Sequence, residues 1–133
     1  MAKITLGKRP QFIEATITAT LPDGSLGVIK ARYKYRTRSE FGEMIDKRMD
    51  MARADAASAE SDKATPAAFS VATMQRQACD ASAAYLVDIL DGWDLDEELN
   101  LAIAAQLCNE VPSMAQALVD GYRLAVTEGR LGN

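Results

Sequence analysis

Residues 12–35 read FIEATITATLPDGSLGVIKARYKY, and this stretch decides how the N-terminal part of the chain folds. Apolar and polar residues alternate on both sides of a central turn, which is the pattern of two half-buried β-strands. Pro22 presets the backbone for a turn, and Gly24 accepts the positive φ that a three-residue hairpin loop requires. The sequence therefore predicts an antiparallel β-hairpin over about residues 12–36, with Gly24 as a structural residue of its turn.

The turn also fixes a pairing register, and the hydrophobic pattern supports the same register independently. If Leu21 pairs with Ser25, Glu14 falls opposite Arg32 on the outer face. The apolar residues then meet on the inner face, in the pairs Ile17 with Ile29, Ala15 with Ala31 and Ile13 with Tyr33. A two-stranded ribbon is only marginally stable alone, so we expect this apolar face to pack on helices or the ribbon to pair with a further strand.

Four helices are predicted after the hairpin, over about residues 39–60, 70–91, 97–110 and 113–128. Thr37 and Glu40 stand at the spacing of a capping box and are assigned to the start of the first helix. Residues 53–67 carry only small or polar side chains, which predicts a fraying helix end that continues as a mobile linker. The prediction is an α+β fold in a single domain over residues 1–133, with an N-terminal antiparallel β-hairpin and four α-helices packed as a small helical domain.

The acidic stretch DGWDLDEEL, residues 91–99, lies between the second and third predicted helices and contains the only tryptophan. Two interpretations are open: a helix connection held by a buried Trp93, or a surface that another protein recognises. Asp94 or Asp96 is expected to cap the third helix, with Asn100 as an alternative start. The spacing does not match a calcium-binding loop. We therefore assign structural roles to Trp93, Asp94 and Asp96, with Trp93 filling a core gap between the second and fourth helices.

The composition argues against enzymatic chemistry and against a metal site. The chain has no histidine, which is the commonest general base and metal ligand, and only two cysteines, Cys79 and Cys108. No catalytic residues, cofactor or metal are predicted. The N-terminus has no apolar segment of signal-peptide length and no segment long enough to span a membrane, so we expect a soluble intracellular protein.

The charges divide between the two parts of the chain. Residues 1–54 contain eleven basic and six acidic residues, whereas residues 55–133 contain four and thirteen. Five basic residues, Lys30, Arg32, Lys34, Arg36 and Arg38, recur at every second position and are predicted to share the outer face of the second strand. Such a row could bind nucleic acid. The pairing of Arg32 with Glu14 and the net charge of −4 favour a solvated or protein-contacting face instead.

Three pieces of the sequence resemble the tail assembly chaperones of long-tailed bacteriophages. The N-terminal MAKITLGKRP leads into a hairpin that ends with YKYRTRSEFG at residues 33–42. The middle of the chain reads DGWDLDEEL, followed by Val111-Pro112, and the C-terminus reads TEGRLGN from residue 127. Together these pieces span nearly the whole chain, with residues 53–67 the least distinctive part.

The resemblance implies a non-enzymatic protein of the infected bacterial cytoplasm that is absent from the mature virion. It would bind the phage tape measure protein, with the major tail tube protein as a further partner. Lys30, Arg32 and Lys34 are the candidate contacts on the hairpin. Met44, Met49, Met51 and Met74 flank the predicted linker, where they could cover an apolar groove or fill the core. A small structural tail component and a nucleic-acid-binding regulator are the alternative functions.

Overall fold

The computed structural model describes residues 6–7, 9–61 and 70–129. Its elements, in chain order, are β1 (Phe12–Thr20), β2 (Leu26–Lys34), α1 (Arg38–Ser61), α2 (Val71–Ile89), β3 (Leu90–Trp93), α3 (Leu101–Glu110) and α4 (Pro112–Thr127). The architecture is α+β, as predicted. None of the helices in these ranges is both long and apolar enough to cross a lipid bilayer.

The hairpin has the predicted register over its whole length. Ile17 lies opposite Ile29, Ala15 opposite Ala31, Ile13 opposite Tyr33 and Glu14 opposite Arg32. At the turn, the Leu21 N–H donates to the Ser25 carbonyl at 2.8 Å, and Gly24 has a φ of 87°. Residues other than glycine rarely adopt that conformation, so the position of Gly24 closes the loop and fixes the pairing of both strands.

A third strand, which the sequence analysis did not predict, completes the sheet in the order β1-β2-β3. Leu90 pairs with Tyr33 and Trp93 pairs with Ala31, with an irregularity beside Arg32. The predicted helix 70–91 extends past this point, but the backbone is already extended at Leu90, with φ −99° and ψ 135°. The second edge of β2 has backbone groups that need partners, and this short segment supplies them.

Two helix boundaries in the middle of the chain differ from the prediction. The helix predicted over 70–91 ends at Ile89, because the next residues join the sheet. The helix predicted over 97–110 begins at Leu101, after the Asn100 side chain accepts from the Ile103 N–H at 2.9 Å. The first helix continues to Ser61 and so includes the first part of the predicted linker 53–67. The rest of that linker, from residue 62, lies outside the described residues.

The capping box at the start of α1 is formed. The Thr37 N–H donates to Oε1 of Glu40 at 2.9 Å, and the Glu40 N–H donates to the Thr37 hydroxyl oxygen at 3.2 Å. The bond from Thr37 lowers the pKa of Glu40 below its usual 4.5, and Arg9, with Nη1 at 3.1 Å from Oε1, lowers it further. The ionised carboxylate therefore holds the first turn of the helix.

This cap is expected to weaken in acid. Because the pKa of Glu40 is lower in the folded protein than in the unfolded chain, its contribution is complete above pH 4.5 and is lost as the pH falls through the lowered pKa. Amide hydrogen exchange at Glu40 and Phe41 should accelerate over that range, relative to exchange at α4. The Glu40→Gln variant should lack this pH dependence, and a variant that retained it would contradict the assignment.

The core lies between the helices and the inner face of the sheet. Its largest fully buried side chains are Tyr33, Leu86, Ile89, Leu90, Met114, Leu118 and Tyr122. α4 approaches the sheet so closely that a Cβ on Gly121 would lie 2.8 Å from Cδ1 of Ile17 and 2.9 Å from the Tyr33 hydroxyl. The Tyr33 hydroxyl also donates to the Leu118 carbonyl at 2.7 Å. The hairpin and α4 are therefore one packed unit.

Candidate partner-binding surface

The candidate contacts on the hairpin lie on the solvent-exposed face of the sheet. They are the exposed side chains of Lys30, Arg32 and Lys34. Arg32 lies opposite Glu14 in the sheet, and its Nη1 is 3.5 Å from Oδ2 of Asp91. These carboxylates offset the positive charge at the middle of the row, which weakens the case for phosphate binding.

Arg36 does not extend this row, because its side chain turns towards the helices. Its Nη2 lies 3.1 Å from Oδ1 of Asp88, and its Nη1 donates to the Tyr122 hydroxyl at 3.0 Å. Only 20% of the Arg36 side chain is exposed. The predicted five-residue ladder is therefore shorter than the alternation of the sequence suggests.

Asp88 is the centre of a polar cluster formed by Arg36, Arg48, Asp88 and Tyr122, which we call the Asp88 cluster. Arg48 Nη2 lies 3.3 Å from Oδ2 of Asp88 and donates to the Ala84 carbonyl at 2.8 Å. The two arginines thus bind different oxygens of one carboxylate. The cluster joins α1 to α2 and both helices to Arg36, the second residue after β2.

Tyr122 connects the same cluster to α4. Its hydroxyl accepts from Arg36 and donates to the Lys34 carbonyl at 3.0 Å. Burial raises the pKa of Tyr122, so the hydroxyl keeps its proton and remains a donor. The side-chain hydrogen bonds within the cluster join residues that lie 40 to 86 positions apart along the chain, and no local spacing in the sequence signals that they meet.

Trp93 lies on β3 rather than in a helix connection. It stands opposite Ala31 in the sheet, is half-buried against the core, and donates from Nε1 to the Glu97 carbonyl at 2.9 Å. Its indole therefore holds the loop that follows β3. The predicted position, a gap between the second and fourth helices, required a helix that continues to residue 91, but α2 ends at Ile89.

The predicted capping roles of Asp94 and Asp96 are wrong. Asn100 caps α3, and Asp94 instead accepts from the Lys30 N–H at 2.9 Å. This bond ties the loop to the sheet just beyond the last paired residue of β3. Asp96 is exposed and four residues before the cap, too far to reach the first turn of α3.

The four candidate methionines divide into one core residue and three surface residues. Met44 is 7% exposed and belongs to the core, so it cannot serve as a contact for a partner. Met49, Met51 and Met74 are exposed by 50%, 59% and 48%. Sequence spacing alone could not distinguish the buried methionine from the exposed ones, because all four flank the same stretch of small residues.

The amino-acid sequence as a whole matches a family model described as phage tail assembly chaperone, over residues 1–133. The chain belongs to this family. Neither the curated proteins nor the solved structures contain a match to it. The tail assembly chaperone family implies protein partners in tail assembly, and such partners would bind to exposed surfaces of the chain.

Two exposed helix segments of this chaperone, residues 49–54 of α1 and 71–78 of α2, are together called the helical arm. All side chains of both segments are exposed. α1 and α2 contact each other at the base of the arm, where the Arg48 guanidinium lies 4.7 Å from the centre of the Tyr85 ring. The arm carries Met49, Met51, Met74 and Val71, the last with 64% of its surface exposed.

Proposed function

We propose that this chaperone binds the tape measure protein through the helical arm and keeps it soluble in the host cytoplasm while the tail tube assembles around it. It acts without catalysis and is absent from the mature virion. The major tail tube protein is a second partner in this proposal. The observation that carries the proposal is the exposed methionine-bearing arm of a chain that belongs to the tail assembly chaperone family.

The arm has the properties that a helical client requires. Two helices with exposed apolar side chains can receive the apolar face of a third helix. Methionine suits this role because its unbranched, polarisable side chain adapts to different apolar surfaces. Burial of exposed methionine and valine side chains is favourable in water, and the rest of the arm consists of small, charged and glutamine residues.

The basic row contributes to the same client interaction as a second contact in this proposal. Lys30 and Lys34 are exposed, and the part of the chain that ends at residue 54 carries an excess of five positive charges. An acidic segment of the client would be attracted to this part of the surface. The contribution of Arg32 should be smaller, because Asp91 already lies within 3.5 Å of its guanidinium.

Co-expression with the tape measure protein tests the proposal. The tape measure protein should be soluble with the wild-type chaperone and should aggregate with a Met49→Ser, Met51→Ser, Met74→Ser variant, because that variant lacks the apolar contacts of the arm. The amount of soluble tape measure protein and its co-purification with the chaperone are measured together.

Leu26 and Val28 offer a matched control. They are exposed by 69% and 51% on the hairpin and are not part of the arm, so Leu26→Ser, Val28→Ser removes exposed apolar side chains outside the arm and should preserve binding. A third variant reverses the charges of Lys30, Arg32 and Lys34 to glutamate and should reduce co-purification in a salt-dependent way. Undiminished co-purification in both the methionine and the charge-reversal variants would contradict the proposed surface.

Two further measurements separate this function from its alternatives. Mass spectrometry of purified virions should find no copies of the chain, and its presence at a fixed stoichiometry would indicate a structural tail component. Labelled DNA should show no mobility shift at low salt. A shift that disappears as salt increases would instead support a nucleic-acid-binding regulator.

A further inference from the structure

β1 forms one edge of the three-stranded sheet. Among the described residues, β2 is its sole strand partner. The strand runs for nine residues without a bulge, contains no proline and has one charged residue, Glu14. Edge strands in proteins are commonly protected by charges, prolines or bulges, and a long edge without them pairs readily with another strand.

The hydrogen bonds at the two ends of the hairpin show which backbone groups face outward. The Leu21 N–H donates to Ser25 across the hairpin, and the Tyr35 N–H donates to Gln11. Odd-numbered residues of β1 therefore form the hydrogen-bonded pairs with β2. Because these pairs alternate along an antiparallel ladder, the N–H and C=O groups of the even-numbered residues point to the open edge.

The usable edge has a defined beginning and end. The Thr20 carbonyl already accepts from the Ser113 hydroxyl at 2.6 Å. Pro10, at the other end, has no N–H to donate. The outward backbone groups between these limits belong to Phe12, Glu14, Thr16 and Thr18.

We propose that this edge binds a second copy of the same chain, antiparallel, with the two-fold axis at Ala15. Phe12 then pairs with Thr18 of the other copy, and Glu14 pairs with Thr16. This register uses the outward groups of all four residues, in about eight interchain hydrogen bonds, two for each of four pairs. The same register places Thr20 opposite Pro10. The Thr20 carbonyl is already bonded to Ser113 and Pro10 has no N–H, so this pair needs no such hydrogen bond.

The side chains of the strand are self-complementary in this register. On the inner face, Ile13 meets Ile17 of the second copy, and Ala15 meets its own counterpart. On the outer face, Glu14 lies beside Thr16, so the two acidic side chains are not opposite each other, which would be unfavourable. The two three-stranded sheets become one continuous six-stranded sheet, with the apolar face of each copy on the same side. A second copy is therefore the occupant that fits the edge.

Sedimentation equilibrium of Thr16→Pro tests the pairing. The wild-type protein should approach twice the chain mass of 14.4 kDa as its concentration rises. The proline removes an outward N–H without removing a bond to β2, so the variant should remain folded and lose the dimer. Thr16→Ala keeps the N–H and should still dimerise. A wild-type protein that is monomeric at every concentration would overturn the proposal. The edge of β1 would then be available to a strand of a different protein.

A disulfide experiment tests the register and does not depend on how well the proline is tolerated. In a Cys79→Ser, Cys108→Ala background, Ala15→Cys places two thiols opposite each other in a non-hydrogen-bonded pair, with Cα atoms about 4.5 Å apart, within the range of a disulfide. Mild oxidation should cross-link this variant rapidly. Thr16→Cys, which faces Glu14 of the other copy, should cross-link more slowly, and equal rates would contradict the register.

The dimer and the tape measure interaction use different parts of the molecule. Loss of the dimer in Thr16→Pro should leave co-purification with the tape measure protein detectable, because the helical arm is unchanged. Conversely, the methionine variants of the arm should still dimerise. The two proposals can therefore fail separately.

Discussion

Tyr122→Ala is expected to destabilise the protein by about 3–5 kcal/mol, the usual cost of removing a buried aromatic side chain. The Tyr122 ring is fully buried, with its centre 5.2 Å from that of Tyr33 and 5.9 Å from that of Phe41. Its removal would open a cavity where α4, β2 and α1 meet. This loss is a large share of the roughly 5–15 kcal/mol that stabilises a typical domain. Urea unfolding followed by circular dichroism measures the effect.

Tyr122→Phe is the matched control, because it keeps the ring and removes the hydroxyl. The hydroxyl makes hydrogen bonds to Arg36 and to the Lys34 carbonyl, so this variant should lose about 1–3 kcal/mol. If the phenylalanine variant lost as much as the alanine variant, the hydroxyl network rather than ring packing would dominate at this position.

Asp88→Ala is expected to cost roughly 2–3 kcal/mol, because it leaves Arg36 and Arg48 without their shared carboxylate. The side chains of the two arginines are 20% and 25% exposed, and that of Asp88 is 38% exposed. Solvent therefore screens part of the interaction, and we place the effect below that of a fully buried pair. Urea unfolding at low and high salt measures the loss and its electrostatic share.

Asp88→Asn tests whether charge or hydrogen bonding matters more in the Asp88 cluster. The amide oxygen can still accept one hydrogen bond, but the negative charge is gone, so an intermediate loss is expected. An Arg48→Ala, Asp88→Ala double variant should lose less than the sum of the two single variants, because each removes the same contact. Strict additivity would show that the cluster is not energetically coupled.

The hairpin could be predicted from the sequence in detail because its determinants are local. Gly24 sets the turn, and the alternation on both sides allows one register that brings the apolar faces together. The capping box of Thr37 and Glu40 is equally local, since its partners are three residues apart. In both cases a single short segment contains all the groups that make the hydrogen bonds.

The third strand and the Asp88 cluster could not be predicted because their determinants are distant in the chain. Leu90 follows a strong helical pattern, and only the open edge of β2 makes an extended conformation favourable there. Asp88 lies 52 residues from Arg36 and 40 residues from Arg48. Helical periodicity marks it as a surface position, and the sequence contains no sign of the two arginines that bind it.

The candidate client surface was predicted in part. A methionine has the same appearance in the sequence whether it lies in the core or on the surface, and only packing distinguishes Met44 from Met49. The exposure of the first part of α2, around Met74, could not be predicted either. Its apolar residues have the same helical spacing as those in the buried second half of the helix. The predicted contacts on the hairpin are exposed, but their charge is partly offset by carboxylates from distant segments.

The link between the hairpin and α4 also determines the order in which the chain can fold during synthesis. The hairpin leaves the ribosome first, yet Tyr33 bonds to Leu118, 85 residues later, and Thr20 bonds to Ser113, 93 residues later. Until α4 has emerged, the apolar face of the hairpin has no cover. Contacts of such long range slow folding and leave a nascent chain prone to aggregation. The hairpin of this chaperone therefore has to wait for most of the chain to be translated before its long-range contacts with α4 can form.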